Sequence, residues 1–179
     1  FNVEPALGIY VIENNRMSAE TIYLRASLAA NTIKDKYRIC VAFYDSKMGE
    51  KLFEEQEIME EAEEALEQEQ FKIFLQPKYN MQTRMPYGAE ALVRWEHPVK
   101  GRISPSEFIP VFERNGLIRD LDYYMWDHVC ALLRKWMDLG MHPAPVSVNV
   151  SRMDVENENL FVLLQGLLDK YQLPAEFLN

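Results

Sequence analysis

The segment from Met85 to His97 constrains the fold more than any other stretch of the 179 residues. In an extended strand, successive side chains point to opposite faces. One face would then be wholly apolar and would carry Ala89, Ala91, Val93 and Trp95. The other face would carry Glu90, Leu92 and Arg94. The pattern predicts either an ordinary amphipathic strand with water-facing charges or a strand that presents an acid and a base at a functional site.

Two further stretches have the composition of strands. The residues from Phe71 to Tyr79 predict a strand that Pro77 either ends or places at the edge of a sheet. The residues from Pro145 to Ser151 predict an inner strand, with three valines on one face and the polar Ser147 and Asn149 on the other. Valines under helices and polar residues aimed at the interior are typical of a barrel strand that carries a site.

A series of short motifs links these strands. Ala-Glu-Ala-Leu-Val-Arg-Trp at 89–95 is followed by His-Pro at 97–98, Gly101, Ile-Ser-Pro at 103–105 and Phe-Ile-Pro at 108–110. Gln-Pro at 76–77 precedes that series, and Val-Ser-Val-Asn at 146–149 follows it. The whole pattern resembles the first half of the EAL domain of cyclic-di-GMP phosphodiesterases, over roughly residues 71 to 179. The resemblance implies an α/β fold, a partial (β/α)8 TIM barrel of the EAL type whose first strand is antiparallel to the rest.

The resemblance also implies a chemistry, in which two Mg²⁺ or Mn²⁺ ions serve the hydrolysis of one phosphodiester of cyclic-di-GMP to linear pGpG. Glu90 and Asn149 match metal-ligand positions, and hard divalent cations prefer such oxygen ligands. Arg94 matches a phosphate-binding position, where a guanidinium fork suits two oxygens. Gln76 and Leu92 match positions that line the guanine pocket. From the parity of the strands, we expect Glu90, Arg94 and Asn149 to converge at one end of adjacent parallel strands. Their face would be opposite the one that carries Ala91, Val93 and Val148.

The family's later motifs, including a further glutamate strand, an Asp-Asp-Phe-Gly segment and a catalytic lysine, do not occur in this sequence, so no catalytic set is complete in it. We therefore expect the chain to be an inactive fragment of a bacterial signalling protein that hydrolyses cyclic-di-GMP. A non-catalytic cyclic-di-GMP receptor or protein-interaction module is the alternative, and a remnant without a ligand is a third. Met153 stands where the family commonly has a glutamine, which leaves that substrate contact open.

Helices are expected between and after these strands. Ser104, Pro105 and Glu107 have the pattern of a capping box with proline at the first helical position. Pro110 predicts an interruption of the helix there, so that its first turns are short or kinked, and Gly116 can end the element. Apolar periodicity predicts two longer helices, one over 118–139 and one over 160–171.

Residues 1–49 predict a different domain. A strand over 5–12, a turn at 13–15, a helix capped by Ser18 and a buried strand over 38–44 follow one another. The predicted apolar stripe of that helix consists of Ile22, Ala26, Ala29 and Ile33. The order resembles the C-terminal part of a GGDEF domain, which has the diguanylate cyclase fold. The signature loop of that family does not occur in the chain, so the resemblance implies no cyclase chemistry here.

Residues 50–70 predict an acidic connector helix between 1–49 and the EAL-like 71–179. Ten glutamates and one lysine lie between Glu50 and Phe71, and this segment accounts for the whole net charge of −9. A narrow apolar line is predicted to pack on neighbouring elements, and it consists of Leu52, Met59, Ala62 and Leu66. A signalling helix or a coiled-coil contact between protomers is the alternative, although only two heptads are present.

Composition limits the binding partners and the cellular compartment that we expect for this chain. An acidic chain is a poor binder of DNA or RNA, but a small nucleotide site outside the acidic segment is compatible with it. No apolar run is long enough for a membrane span. Cys40 and Cys130 have apolar neighbours, which favours buried reduced thiols and a cytoplasmic location. The expected small-molecule partner is cyclic-di-GMP, and a homodimer through the EAL domain is a further expectation.

Overall fold

The computed structural model describes residues 6–12, 16–33 and 41–179. The chain divides into two compact units, Phe1–Glu57 and Ile58–Asn179. This division falls inside a helix, and the domain boundaries expected at 49/50 and 70/71 remain predictions. Within the described residues, no helix is both long and apolar enough to span a membrane.

The first unit contains a strand, a helix and a second strand. Strands β1 (Leu7–Ile9) and β2 (Val41–Phe43) pair in parallel, and helix α1 (Ala19–Asn31) lies between them in the chain. The predicted cap is confirmed, since Ser18 Oγ accepts a hydrogen bond from the Thr21 amide at 3.2 Å. Gly8 permits a close approach of β1 to α1, because a Cβ there would lie 1.9 Å from a helix carbonyl oxygen.

The expectation of a buried strand over 38–44 is wrong for the part that the structure describes. Val41 is 44 % exposed and Phe43 is 60 % exposed. The described sheet of this unit has only two strands and one packed helix, so it cannot cover both faces of β2. The predicted turn at 13–15 and Cys40 lie outside the described residues.

The acidic segment forms one continuous helix, α2 (Ser46–Glu67), which begins and ends a few residues before the predicted bounds. Its buried stripe differs from the predicted one and consists of Ile58, Ala62 and Ala65. Met59 of the predicted stripe is 41 % exposed, and Leu52 is 44 % exposed. The two alanines let α2 approach the core of the second unit closely, and this contact selects Ile58 rather than the adjacent Met59. The role of α2 as a connector remains a prediction.

The second unit is built on a mixed sheet. Its strands are β3 (Phe71–Tyr79), β4 (Pro86–His97), β5 (Gly101–Ile103) and β6 (Val146–Ser147). Strand β4 pairs antiparallel with β3 and β5, and parallel with β6. The predicted bounds of β3 are confirmed, and Pro77 lies within this edge strand, as one of the two expectations had it.

The strand predicted over 145–151 is correct in position but too long. Regular pairing is confined to Val146 and Ser147, which lie beside Ala89 and Glu90 of β4. On its other side, Val146 forms a parallel bridge with Leu178. Beyond Ser147 the backbone leaves β4. The Val148 amide donates to the Asn179 carbonyl at 2.8 Å, and side chains of a helix hold the residues after it, as described below.

Helices cover one face of this sheet. They are α3 (Pro105–Asn115), α4 (Ile118–Asp138), α5 (Arg152–Val155) and α6 (Leu160–Tyr171), with a 3₁₀ turn at Ala175–Phe177. The capping box at Ser104 and the left-handed end at Gly116 are confirmed. The expected break at Pro110 is wrong, because α3 continues through it. Burial of Phe108, Val111 and Phe112 outweighs one lost hydrogen bond, since each buried apolar side chain contributes about 1.5–3 kcal/mol.

An aromatic cluster fixes β3 and β4 against α3. Ring centroids of Phe71 and Trp95 are 5.0 Å apart, and those of Trp95 and Phe108 are 5.6 Å apart. The Trp95 Nε1 group donates to Gln70 Oε1 at 2.9 Å, so this buried polar atom is satisfied. A second cluster, which includes Ala91, packs β4 and β6 against α4 and α6. Together the two clusters place Ala91, Val93 and Trp95 of β4 in or against the core.

We predict that Gly88→Ala destabilises the second unit by about 1–3 kcal/mol. A Cβ at Gly88 would lie 2.9 Å from the Pro145 carbonyl oxygen, which accepts the Ala89 amide, so β6 would have to move. Chemical denaturation followed by tryptophan fluorescence measures the effect, since all three tryptophans lie in this unit.

Gly166→Ala is the matched control, because a Cβ at this helical position meets nothing within 4 Å. It should leave the free energy of unfolding unchanged or raise it by up to about 1 kcal/mol. Equal unfolding free energies for the two variants would contradict the proposed close contact between β4 and β6.

Candidate functional site

The register of β3 and β4 places the predicted substrate residues on one face. Gln76 lies opposite Glu90, Phe74 opposite Leu92, and Lys72 opposite Arg94. We call these six residues the site face. They alternate with Ala91, Val93 and Trp95, whose side chains pack into the core clusters or against them. The structure therefore brings Gln76, Glu90, Leu92 and Arg94 to the side of the sheet that the helices leave uncovered.

The parallel pairing of β6 brings Asn149 to Glu90. The Asn149 Nδ2 group lies 3.4 Å from Glu90 Oε1, although the two residues are far apart in the chain. Rotating the amide by half a turn would direct its oxygen to the same point. A carboxylate and an amide oxygen are ligands of the kind that Mg²⁺ and Mn²⁺ take. Among the described residues there is no cluster of three or more His, Cys, Asp or Glu side chains suited to a metal. Glu90 and Asn149 would therefore supply only part of a ligand set.

Arg94 shares the face with Glu90 but lies farther along β4. Four residues of strand separate them, which is about 13 Å between backbone positions. Its NH1 group donates to the Val93 carbonyl at 2.7 Å, and its guanidinium lies 5.8 Å from the centroid of the Phe74 ring. Glu90 and Asn149 thus meet at one point, whereas Arg94 occupies a second point on the same face.

Helix α4 fixes the turn that carries Asn149. The Trp126 Nε1 group donates to the Asn149 carbonyl oxygen at 2.9 Å, and the Ser151 amide donates to Asp122 Oδ2 at 3.0 Å. Asp122 and Trp126 are four residues apart, so they lie on one side of the helix. The sequence analysis named neither Asp122 nor Trp126 as a site residue. Their four-residue spacing on a predicted helix was the available signal.

A second contact that the sequence analysis did not identify links β6 to β3 on the side of the site face. Lys78 of β3 donates from Nζ to Ser147 Oγ at 2.6 Å. Lys78 pairs with Gly88, so its side chain crosses β4 where that strand has no side chain. The contact ties both neighbours of β4 together near Glu90.

A buried acidic cluster lies behind the Asn149 turn. Ser151 Oγ donates to Asp154 Oδ2 at 2.5 Å, and Arg119 Nε lies 3.6 Å from Asp154 Oδ1. Asp122 and Asp154 are both buried. Burial, followed by the neighbouring Asp154 carboxyl, raises the pKa of Asp122 from its ordinary 3.8 to about 7.

The cluster borders a cavity of about 240 Å³ between the sheet and the helices. Ala91, Val93 and Val148 form its apolar wall, and Glu113, Asp122 and Ser151 are among its polar residues. It therefore lies on the helix side of β4, behind the site face rather than within it.

We predict that Asp122→Asn becomes progressively more stable, relative to the wild type, as the pH rises from about 4 to about 7. The folded state keeps the Asp122 proton up to a pKa of about 7, whereas the unfolded chain loses it near the ordinary value of 3.8. Wild-type stability therefore falls across this interval, and the amide variant lacks that loss. Thermal denaturation of both proteins over this pH range tests the difference.

Asp120→Asn is the control, since Asp120 is an exposed carboxylate two residues away on α4. A stability difference for Asp122→Asn whose pH dependence matches that of Asp120→Asn would contradict the raised pKa of Asp122.

Known proteins resemble this chain in sequence and in fold. The family model described as "EAL domain" matches residues 59–178. The bifunctional diguanylate cyclase/cyclic di-GMP phosphodiesterase MucR of Pseudomonas aeruginosa is 28 % identical over 176 residues, which are 98 % of this chain and 26 % of MucR. The cyclic di-GMP phosphodiesterase PA2567 of the same species is 33 % identical over 112 residues, which are 63 % of this chain and 19 % of that protein. The chain thus spans about a quarter or less of these two relatives.

A solved structure supports the same assignment. The structure described as "PaMucR Phosphodiesterase, c-di-GMP complex" is 31 % identical, with a TM-score of 0.63. The match covers 68 % of this chain and 49 % of that one. The family model extends over most of the chain, including β3, β4, β6 and the Asn149 turn. This chain therefore belongs to the EAL domain family.

Proposed function

We propose that the full-length protein carrying this chain hydrolyses cyclic-di-GMP to linear pGpG in bacterial second-messenger signalling. The observation that supports this most directly is the meeting of Glu90 and Asn149 from two parallel strands. Two relatives and one solved structure named above are cyclic-di-GMP phosphodiesterases by name. Because the chain spans only part of each, activity is proposed for the full-length protein.

The proposal includes the architecture. The second unit would be the first half of a (β/α)8 barrel in which β3 runs antiparallel to the barrel strands β4 and β6. The parallel run from β4 to β6 and on to Leu178 supports this. Residues 1–49 would be the end of a GGDEF-like domain, with 50–70 as a connector. The strand–helix–strand order and the near-complete alignment with a relative named as a diguanylate cyclase support that part.

Glu90 and Asn149 would hold part of a two-ion Mg²⁺ or Mn²⁺ centre. When bound, such ions lower the pKa of water and stabilise charge at a phosphodiester. Arg94 would bind two oxygens of a phosphate through its planar guanidinium group. Gln76 and Leu92 would orient a guanine base from β3 and β4. The Trp126 and Asp122 contacts would keep Asn149 in place during binding.

A non-catalytic cyclic-di-GMP receptor is the second candidate. The six residues of the site face favour it, because they include the proposed phosphate and base contacts but only one carboxylate, Glu90. A receptor needs only the phosphate and base contacts.

A homodimer through the EAL domain remains a prediction. A cytoplasmic location is proposed on the buried free thiol of Cys130, whose pKa burial raises to about 11.

We predict that Glu90→Gln in the full-length protein lowers turnover of cyclic-di-GMP by at least about 100-fold, because a charged metal ligand becomes neutral. Chromatographic detection of pGpG with added Mg²⁺ or Mn²⁺ is the measurement. Glu158→Gln, at an exposed carboxylate, is the control and should retain activity. A Glu90→Gln protein with full turnover would contradict the proposed metal role, while a wild type that binds but never cleaves would support the receptor.

We also predict that the 179-residue chain alone releases no pGpG, since Glu90 and Asn149 provide few oxygen ligands. In the full-length protein, Arg94→Ala should weaken substrate binding more than it lowers kcat, because the partner of Arg94 is a phosphate rather than the attacking water. Steady-state kinetics separates the two effects. Robust turnover by the 179-residue chain would show that its residues suffice for catalysis.

A further inference from the structure

Two arginines approach the same exposed aromatic ring on the site face. The guanidinium carbon of Arg102 lies 4.9 Å from the centroid of the Phe74 ring, and that of Arg94 lies 5.8 Å from it. Phe74 is 39 % exposed. Each distance is within the range of a cation–π contact, which is worth about 0.5–1 kcal/mol at an exposed site. The second arginine, Arg102, has no role in the function proposed above.

Arg102 reaches this ring by crossing β4. It lies on β5 opposite Glu96, whereas Phe74 lies on β3 on the other side of β4. The Arg102 side chain therefore extends over β4, where it pairs with Glu96, toward the Phe74 ring on the next strand. Glu96 has the same parity as Glu90 and Arg94, which places Arg102 on the site face as well. The extended arrangement immobilises a long side chain, which costs conformational entropy.

The charges at this end of the site face are unequal. Lys72, Arg94 and Arg102 are cations, and Glu96 is the carboxylate that pairs with one of them, with Arg102 NH2 at 3.2 Å from Glu96 Oε1. Three positive side chains therefore accompany one negative side chain, in a protein whose net charge is −9. The Glu96 pair and the ring explain why Arg102 crosses β4. Arg94 donates to the Val93 carbonyl beside the same ring, and the two guanidiniums, as like charges, repel each other there.

A bound anion would remove that repulsion. Two guanidiniums that flank one point can each donate two parallel N–H bonds to phosphate oxygens, and charge-assisted bonds of this kind are the strong ones. The Phe74 ring limits the directions in which both groups can turn. We propose that Arg102 joins Arg94 in a two-guanidinium phosphate-binding position over Phe74, separate from the point where Glu90 meets Asn149.

This inference rests on the proposed function, because the phosphate belongs to a dinucleotide whose other phosphate lies toward Glu90. It adds Arg102 as a binding residue and Phe74 as its positioning residue. The phosphate could be the second diester of the cyclic substrate or the terminal phosphate of the linear product, and binding of the two ligands distinguishes these sources.

Isothermal titration of the full-length protein with cyclic-di-GMP, in buffer with the divalent metal chelated, tests the proposal without turnover. Arg102→Ala should raise the Kd by about tenfold or more, which is the effect of losing a hydrogen bond to a charged group. Arg102→Lys should recover part of the affinity, since it keeps the charge but loses the fork. The Kd of Arg102→Ala should also rise less steeply with salt than that of the wild type.

Arg134→Ala is the matched control. Arg134 is also partly exposed and pairs with a carboxylate, Asp138, at 2.7 Å, but it lies on α4 away from the site face. Its Kd should equal that of the wild type. Far-ultraviolet circular dichroism and the Tm of each variant establish that it is folded, and Phe74→Leu provides a second variant that leaves both charges in place and should weaken binding through the loss of the ring.

The outcomes separate the two proposals. A wild type that binds cyclic-di-GMP, together with an Arg102→Ala protein whose Kd and salt dependence match Arg134→Ala, overturns this inference and leaves the proposed function standing. A wild type that binds neither cyclic-di-GMP nor pGpG without metal also overturns this inference, whereas the proposed function is decided by release of pGpG with added Mg²⁺ or Mn²⁺. A larger loss for pGpG than for cyclic-di-GMP assigns the position to the product's terminal phosphate, and the reverse assigns it to the substrate's second diester.

Discussion

The alternation of side chains along β4 is the constraint on which the second unit depends. Trp95 is fully buried in the aromatic cluster and Ala91 in the second core cluster, so the odd positions cannot turn outward without losing both. A shift of one residue in the pairing with β3 would bury Glu90 and Arg94 and expose Trp95. Burying an unpaired carboxylate costs several kcal/mol, which makes such a shift prohibitive. The core therefore determines the direction of Glu90 without any contact from a ligand.

The position of Asn149 depends on a different set of forces. Strand β6 pairs with β4 over only two residues, and such a short ladder cannot by itself fix a side chain beyond its end. Hydrogen bonds from Trp126 to the Asn149 carbonyl and from the Ser151 amide to Asp122 supply the remaining constraint. Residues of helix α4 pack in both core clusters, so the side chains that bind the turn have fixed positions. A helix on the other face of the sheet thus helps to fix the position of a site residue that the two strands alone do not fix.

Sequence reasoning succeeded where one local rule determined the structure. The bounds of β3, the capping box at Ser104 and the left-handed end at Gly116 follow from period and capping alone. It failed where packing selected between near-equal local options. Ile58 and Met59 are both apolar, and the contact of α2 with the core shows which of them is buried. Residue roles at the site came from the family resemblance, while the Asp122 and Arg102 contacts join residues far apart in the chain and needed coordinates.

The charge distribution reconciles an acidic chain with a site for an anion. The glutamates that carry the net charge lie mainly on exposed positions of α2, whereas the cations of the site face lie on three adjacent strands. At physiological ionic strength, exposed charges more than about 8 Å apart are largely screened from each other. A phosphate at the sheet therefore responds to Arg94, Arg102 and Lys72 far more than to the total charge. Net charge alone is consequently a poor guide to small-ligand binding in this protein, although it remains relevant to long polyanions that would extend over the acidic helix.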